Sequence, residues 1–155
     1  MDEYDRQILR LIQLDNRKSS ASIGQEIGLS VSAVNERVRR LNTSGIVQAN
    51  RAVIDPSMIG LSLCAYLFVD LDTRCDDEDA FVSGAVELPE VQEIHHITGG
   101  HNYLLKVRVA DTLGLQTLLS EKLKRLPGLL RTESTVVLQS FKETTVLPIA
   151  TDPES

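Results

Sequence analysis

Apolar residues recur at helical spacing from the start of the chain. Ile8, Leu11 and Ile12 mark a first helix over residues 3–15, and Asp2 and Asp5 suit its N-terminal end. Asn16-Arg17-Lys18 breaks the pattern. Ser19 or Ser20 then caps a second helix with Ile23 and Ile27 at i, i+4; Gly28 stops it and Leu29 plugs the core. Ser30 caps a third helix, in which Val34, Val38 and Leu41 form one inward stripe, and Gly45 ends it. The apolar-polar run over 46–54 reads as two short strands around an Ala49-Asn50 turn, and Pro56 closes the module. Three helices with a short Gly-containing turn between the second and third predict a helix-turn-helix.

The pattern then changes period. Leu61, Leu63, Ala65, Leu67, Val69 and Leu71 alternate, while the opposite parity carries Cys64, Tyr66 and Phe68, so this strand is apolar on both faces. Asp76-Asp77-Glu78-Asp79 opens a helix carrying Phe81, Val82, Ala85 and Val86, which Pro89 ends. Val91–Thr98 and Tyr103–Ala110 read as a hairpin around Gly99-Gly100-His101-Asn102. Asp111 or Thr112 caps a helix burying Leu115, Leu118, Leu119 and Leu123, and Pro127-Gly128 breaks it. Leu129–Phe141 forms a further strand, Thr144–Leu147 a short one, and residues from Thr151 a frayed tail. The order βαββαβ is the ferredoxin-like unit. Both helices cover one sheet face, so Tyr66 and Phe68 on the other call for a second subunit. The domains are therefore 1–45, helix-turn-helix; 46–60, strand linker or hairpin; 61–148, ferredoxin-like oligomerisation domain; and 149–155, tail.

Composition narrows the function. The 155 residues are 42% hydrophobic and 25% charged, a globular balance, and the 4% aromatic content disfavours a base-stacking single-strand binder. The longest apolar stretch, within 59–71, is too short to cross a bilayer, and the acidic N-terminus is no secretory signal. Cys64 and Cys75 make neither a disulfide framework nor a zinc pattern, which points to a reduced, cytoplasmic setting. The net charge of −6 hides an asymmetry: residues 1–54 carry eight basic and six acidic side chains, and residues 17–51 six basic against two acidic. A basic module fused to an acidic one fits double-stranded DNA as partner.

The third helix carries the candidate DNA-binding set, Ser30, Ser32, Ala33, Asn35, Glu36, Arg37, Arg39 and Arg40. Small residues at its tip allow close entry into a major groove. Asn reads adenine, Glu accepts from cytosine, and Arg reads guanine or holds phosphate. Which arginine does which stays open, and Arg17 and Lys18 suit backbone contacts only. His95 and His96 point to opposite faces of a strand and cannot chelate together. No catalytic triad, phosphate loop or metal spacing stands out, so neither catalytic nor metal residues are expected.

Taken in order, Gly28-Leu29-Ser30-Val31-Ser32-Ala33-Val34, Glu36-Arg37-Val38-Arg39-Arg40-Leu41, Ser44-Gly45-Ile46-Val47, Ala52-Val53-Ile54-Asp55-Pro56, Thr98–Val107, Leu126-Pro127-Gly128 and Lys142–Pro148 resemble the Lrp/AsnC (feast/famine) transcription regulators across nearly the whole chain. The resemblance implies an α+β protein: a winged helix-turn-helix joined by a strand linker to a ferredoxin-like βαββαβ ligand-sensing (RAM/ACT-like) domain. It implies homodimers assembling to octamers, a nucleoid-associated cytoplasmic location, no cofactor, and an amino-acid effector bound between subunits. At matching positions the effector residues are Thr98, Gly99, Gly100, His101, Asn102, Tyr103 and Leu104, with Thr132, Ser134 and Thr135 as the other wall. A Gly-Gly turn lets backbone N–H groups approach a carboxylate without Cβ clash. One departure stands out. The family usually has Asp where this chain has Asn102, which keeps an acceptor oxygen but loses the charge an ammonium needs; a different ligand, or a plain hairpin turn, is the alternative. Two rival functions remain: a tetrapyrrole (siroheme-type) decarboxylase on the same fold, disfavoured by few sensing-module arginines (Arg74, Arg108, Arg131), and a sensor acting on protein partners without DNA.

Overall fold

The computed structural model describes residues 1–72 and 78–150. It divides into two compact units, Met1–Val53 together with the segment from Lys142 onward, and Ile54–Phe141.

In the first unit, α1 (Glu3–Leu14) starts at Asp2, whose side chain accepts from the Asp5 N–H while Asp5 accepts from the Asp2 N–H, a reciprocal capping box. Ser19 caps α2 (Ser20–Ile27) and Ser30 caps α3 (Val31–Thr43). Gly28, at φ 74°, closes α2 in the left-handed region. Ile8, Leu9, Ile23, Val34 and Leu41 form the core, each stabilising the unit by about 1.5–3 kcal/mol on burial. The turn into α3 is tight: a Cβ on Gly24 would lie 2.5 Å from the Leu29 carbonyl oxygen.

Residues 46–54 differ from the expected strands. They carry no strand, and Val53 is 96% exposed. A two-stranded ribbon alone is marginal in water, and the unit's described residues hold no strand to pair with it. The last segment also differs. Residues 144–147 form no strand, and residues 142–150 belong with α1 rather than with the sensing module. The Gln13 carboxamide donates to the Leu147 carbonyl (2.9 Å) and accepts from the Leu147 N–H (3.0 Å), while Ile149 packs on the helical core. One side-chain amide thus satisfies both backbone groups that a strand would have paired.

The second unit opens with a tight turn over Pro56–Ile59. Then follow β1 (Leu63–Leu71), α4 (Glu78–Val86), β2 (Val91–His96), β3 (Tyr103–Val109), α5 (Thr112–Thr117) and β4 (Leu129–Val136). A widened turn over Leu118–Lys122 extends α5. The sheet order is β2-β3-β1-β4 and every neighbour is antiparallel, the arrangement expected of βαββαβ. Ala65, Leu67 and Val69 of β1 and Leu105 and Val107 of β3 meet Phe81, Ala85, Leu118 and Leu123 on the helix-covered face. β4 stops at Val136 instead of reaching Phe141, because its partner β1 begins at Leu63; beyond it Leu138 and Phe141 are 97% and 89% exposed. The opposite face is not bare apolar surface: half-buried Tyr66 and Phe68 sit among Asp70, Lys106, Arg131 and Glu133. The expected start of α4 at Asp76-Asp77, Cys75, Arg74 and the tail from Thr151 lie outside the described residues.

Candidate DNA-reading helix and effector loop

On α3 the eight predicted residues separate by what they touch. Ser30 is engaged as the cap, accepting from the Ala33 N–H, and lies 3.1 Å from the Ser32 hydroxyl. Ala33 is half-buried. Asn35 is exposed, and its amide oxygen accepts from the Ser20 hydroxyl of α2, which fixes the amide's orientation. Glu36 and Arg39 pair at 2.9 Å, both largely exposed. Such a solvated pair is weak and readily exchanged for a base or phosphate.

Arg37 and Arg40 reach back to the start of α1. Arg37 Nη1 reaches Asp2 at 2.7 Å and Asp5 at 2.8 Å, with the guanidinium 5.4 Å from the Tyr4 ring centre. Arg40 Nη2 lies 2.8 Å from both Asp5 oxygens. Asp5 is 2% exposed. Burial alone would raise its pKa, but the Asp2 N–H and Arg37 outweigh burial and hold the carboxyl below its ordinary range. The Asp5 N–H and Arg37 lower Asp2 likewise. This ion cluster binds α1 to α3. Local helix-start preference explains Asp2 and Asp5 at the end of α1, but no local pattern shows that Arg37 and Arg40, more than thirty residues away, complete their coordination.

In the sensing unit, Thr98, Gly99 and Gly100 are exposed, with Gly99 at φ 122°, a conformation only glycine adopts without strain. His101 turns back onto β1: Nδ1 lies 3.0 Å from Asp70, and its ring is 5.1 Å from that of Phe68. Asn102 donates its N–H to the Val69 carbonyl, accepts the Ile97 N–H on its own carbonyl, and accepts the Leu71 N–H on Oδ1 at 2.9 Å. Tyr103 is not at a ligand surface. It is buried on the helix-covered side, stacks with His96, and donates its hydroxyl to Glu78; burial and then Glu78 push its pKa up to about 12. Leu104 is half-buried on the open face. The expected second wall is split by strand alternation. Thr132 and Ser134 pair with Val69 and Leu67 on the helix side, whereas Thr135 pairs with Tyr66 on the open side. A groove of about 550 Å³ beside α5 takes in Thr132 but none of the loop residues. Arg131, 3.5 Å from Asp70 and 3.3 Å from Glu133, joins the surface below His101; alternation on β4 was the only signal for it.

Among the described residues no cluster of His, Cys, Asp or Glu is placed to hold a metal, and no helix is long and apolar enough to cross a membrane.

A trihelical unit that presents the tip of its third helix, covalently joined to a ferredoxin-like sensing unit, defines a ligand-responsive transcription regulator. Residues 1–42 match the AsnC-type helix-turn-helix domain, and residues 64–147 the Lrp/AsnC ligand binding domain. The leucine-responsive regulatory protein of Klebsiella pneumoniae is 37% identical over 152 residues, covering 97% of this chain and 93% of that one. A Neisseria meningitidis transcriptional regulator in complex with L-methionine superposes with TM-score 0.91 at 28% identity, covering 96% of each chain. A feast or famine regulatory protein from Mycobacterium tuberculosis complexed with L-methionine gives TM-score 0.88 at 33% identity, covering 96% of this chain and 99% of that one. The chain belongs to the Lrp/AsnC family of transcription regulators. These relatives lend no support to the decarboxylase alternative.

Proposed function

We propose that α3 reads double-stranded DNA through Ser32, Asn35, Glu36 and Arg39, while Arg37 and Arg40 set the helix's posture against α1 and Ser30 and Ala33 shape its tip. The observation that carries this division is the ion cluster: Arg37 and Arg40 are engaged by Asp2 and Asp5, of which Asp5 is buried, whereas Arg39 pairs, among the described residues, with the exposed Glu36. The active species is a homodimer that assembles further to octamers, acting on DNA in the cytoplasm. Val53, Leu138 and Phe141, almost wholly exposed, support a second copy as their cover. A small effector, an amino acid as in the methionine-bound relatives, binds at the loop Thr98–Leu104 between subunits, and it acts by preferring one assembly over another.

The test is a salt series of anisotropy titrations on a site selected from random-sequence DNA. Arg39→Ala is expected to weaken specific binding roughly ten- to hundredfold with an unchanged melting temperature. Arg37→Ala is expected to lower the melting temperature. Unchanged specific binding by Arg39→Ala refutes its assignment.

A further inference from the structure

Asn35 is exposed on α3, and Ser20, the half-buried first residue of α2, reaches it from the neighbouring helix. The Ser20 hydroxyl and Asn35 Oδ1 are 2.5 Å apart. That length suits an O–H···O bond and is too short for N–H···O, so the hydroxyl donates to the amide oxygen and the amide is not turned over. Ser20 has no capping duty. The cap of α2 is Ser19, whose hydroxyl accepts from the Ser22 N–H. Asn35 Nδ2 has no partner among the described residues.

The bond sets the amide's chemistry as well as its orientation. An oxygen that already accepts a short hydrogen bond is a poorer acceptor for a second donor, and the polarised amide is a stronger donor through its NH₂. An unrestrained asparagine suits adenine, because it accepts from N6–H and donates to N7. Guanine presents two acceptors on the same edge, N7 and O6; thymine presents only O4, and cytosine presents a donor. We propose that Ser20, outside the third helix, is a positioning residue that sets the base preference of Asn35, turning it from adenine to guanine. This rests on the reading of α3 above, in which Asn35 faces DNA.

The experiment uses the full chain and a site selected from random-sequence DNA, with each base pair changed in turn and binding read by anisotropy. Asn35→Ala identifies the position that residue reads, as the one whose preference flattens. There the wild type is expected to hold guanine about tenfold tighter than adenine. Ser20→Ala is expected to bring the two bases within about threefold and to leave the preferences at the other positions unchanged. The ratio compares two DNAs on one protein, so a loss of folded protein cancels from it. In the Asn35→Ala background, Ser20→Ala is expected to change no base preference, because Ser20 acts through Asn35; a change there means that Ser20 meets DNA itself and overturns the proposal. Wild-type preference for any base other than guanine at that position, or an unaltered ratio in Ser20→Ala, also overturns it. If Asn35→Ala flattens no position while Arg39→Ala abolishes specific binding, the proposal falls and the reading of α3 stands. If neither variant alters specific binding, both fall.

Discussion

Replacing Asp5 by Ala tests whether the α1–α3 ion cluster holds the DNA-reading unit together. Asp5 accepts from the Asp2 N–H at 3.1 Å, Arg37 at 2.8 Å and Arg40 at 2.8 Å. Arg40 is 57% exposed and rehydrates when released, so its share is small. Arg37 is 22% exposed and keeps Asp2, so it loses one charged hydrogen bond rather than all of them. A charged hydrogen bond of this kind contributes about 1.5–3 kcal/mol, and half of a capping box about 0.5–1 kcal/mol. Relief of the buried carboxylate's desolvation offsets part of this, leaving a net loss of about 2–3 kcal/mol. Asp5→Asn keeps the cap acceptor and loses only the charge, so it is expected to cost about half as much. The assay is urea unfolding of the full chain at neutral pH, followed by helical circular dichroism. A change below about 0.5 kcal/mol, the range of an ordinary surface substitution, refutes the claim that this cluster braces the helices.

Three further outcomes follow from the same geometry. Asp2 and Asp5 titrate below their ordinary value of 3.8 when folded, so their stabilisation is complete above that pH and is lost as pH falls through the lower folded values; an acid melting series should show the wild-type advantage over Asp5→Ala vanish there, and an advantage that persists fully protonated contradicts the sign. Gly24→Ala places a Cβ against the Leu29 carbonyl, and its chemical melt should show a loss of about 1–3 kcal/mol with specific DNA binding falling in parallel. Gln13→Ala frees both backbone groups of Leu147; hydrogen exchange at the Leu147 amide should accelerate, and unchanged exchange would show that the segment is not seated on α1.

What the sequence disclosed and what it concealed divide along one line, local against remote. The helices α1, α2 and α3 were legible because caps and apolar stripes act within a few residues: Asp2, Ser19 and Ser30 each sit where the local pattern requires an N-cap. The sheet was legible because alternation repeats at period two, and β1 does bury Ala65, Leu67 and Val69 on one face. Each misplacement came from a choice of partner over distance. Residues 46–54 have strand composition, but a two-stranded ribbon needs a further strand to hold it, and the unit's described residues supply none. Residues 137–141 continue an apolar run past the end of β1 and so past their last hydrogen-bonding neighbour. Residues 144–147 found a glutamine side chain in place of a strand. The candidate site obeys the same rule. An arginine-rich helix reads as DNA-binding whichever way its arginines point, and only acids at the start of another helix decide that Arg37 and Arg40 are engaged in an ion cluster while Arg39 pairs with its exposed neighbour Glu36. At residue 102 the sequence disclosed an amide where the family resemblance implies a charge; how that amide is oriented was decided by the Leu71 N–H, thirty-one residues away. Contacts of that range, not local pattern, determine which chemistry each surface of this regulator presents.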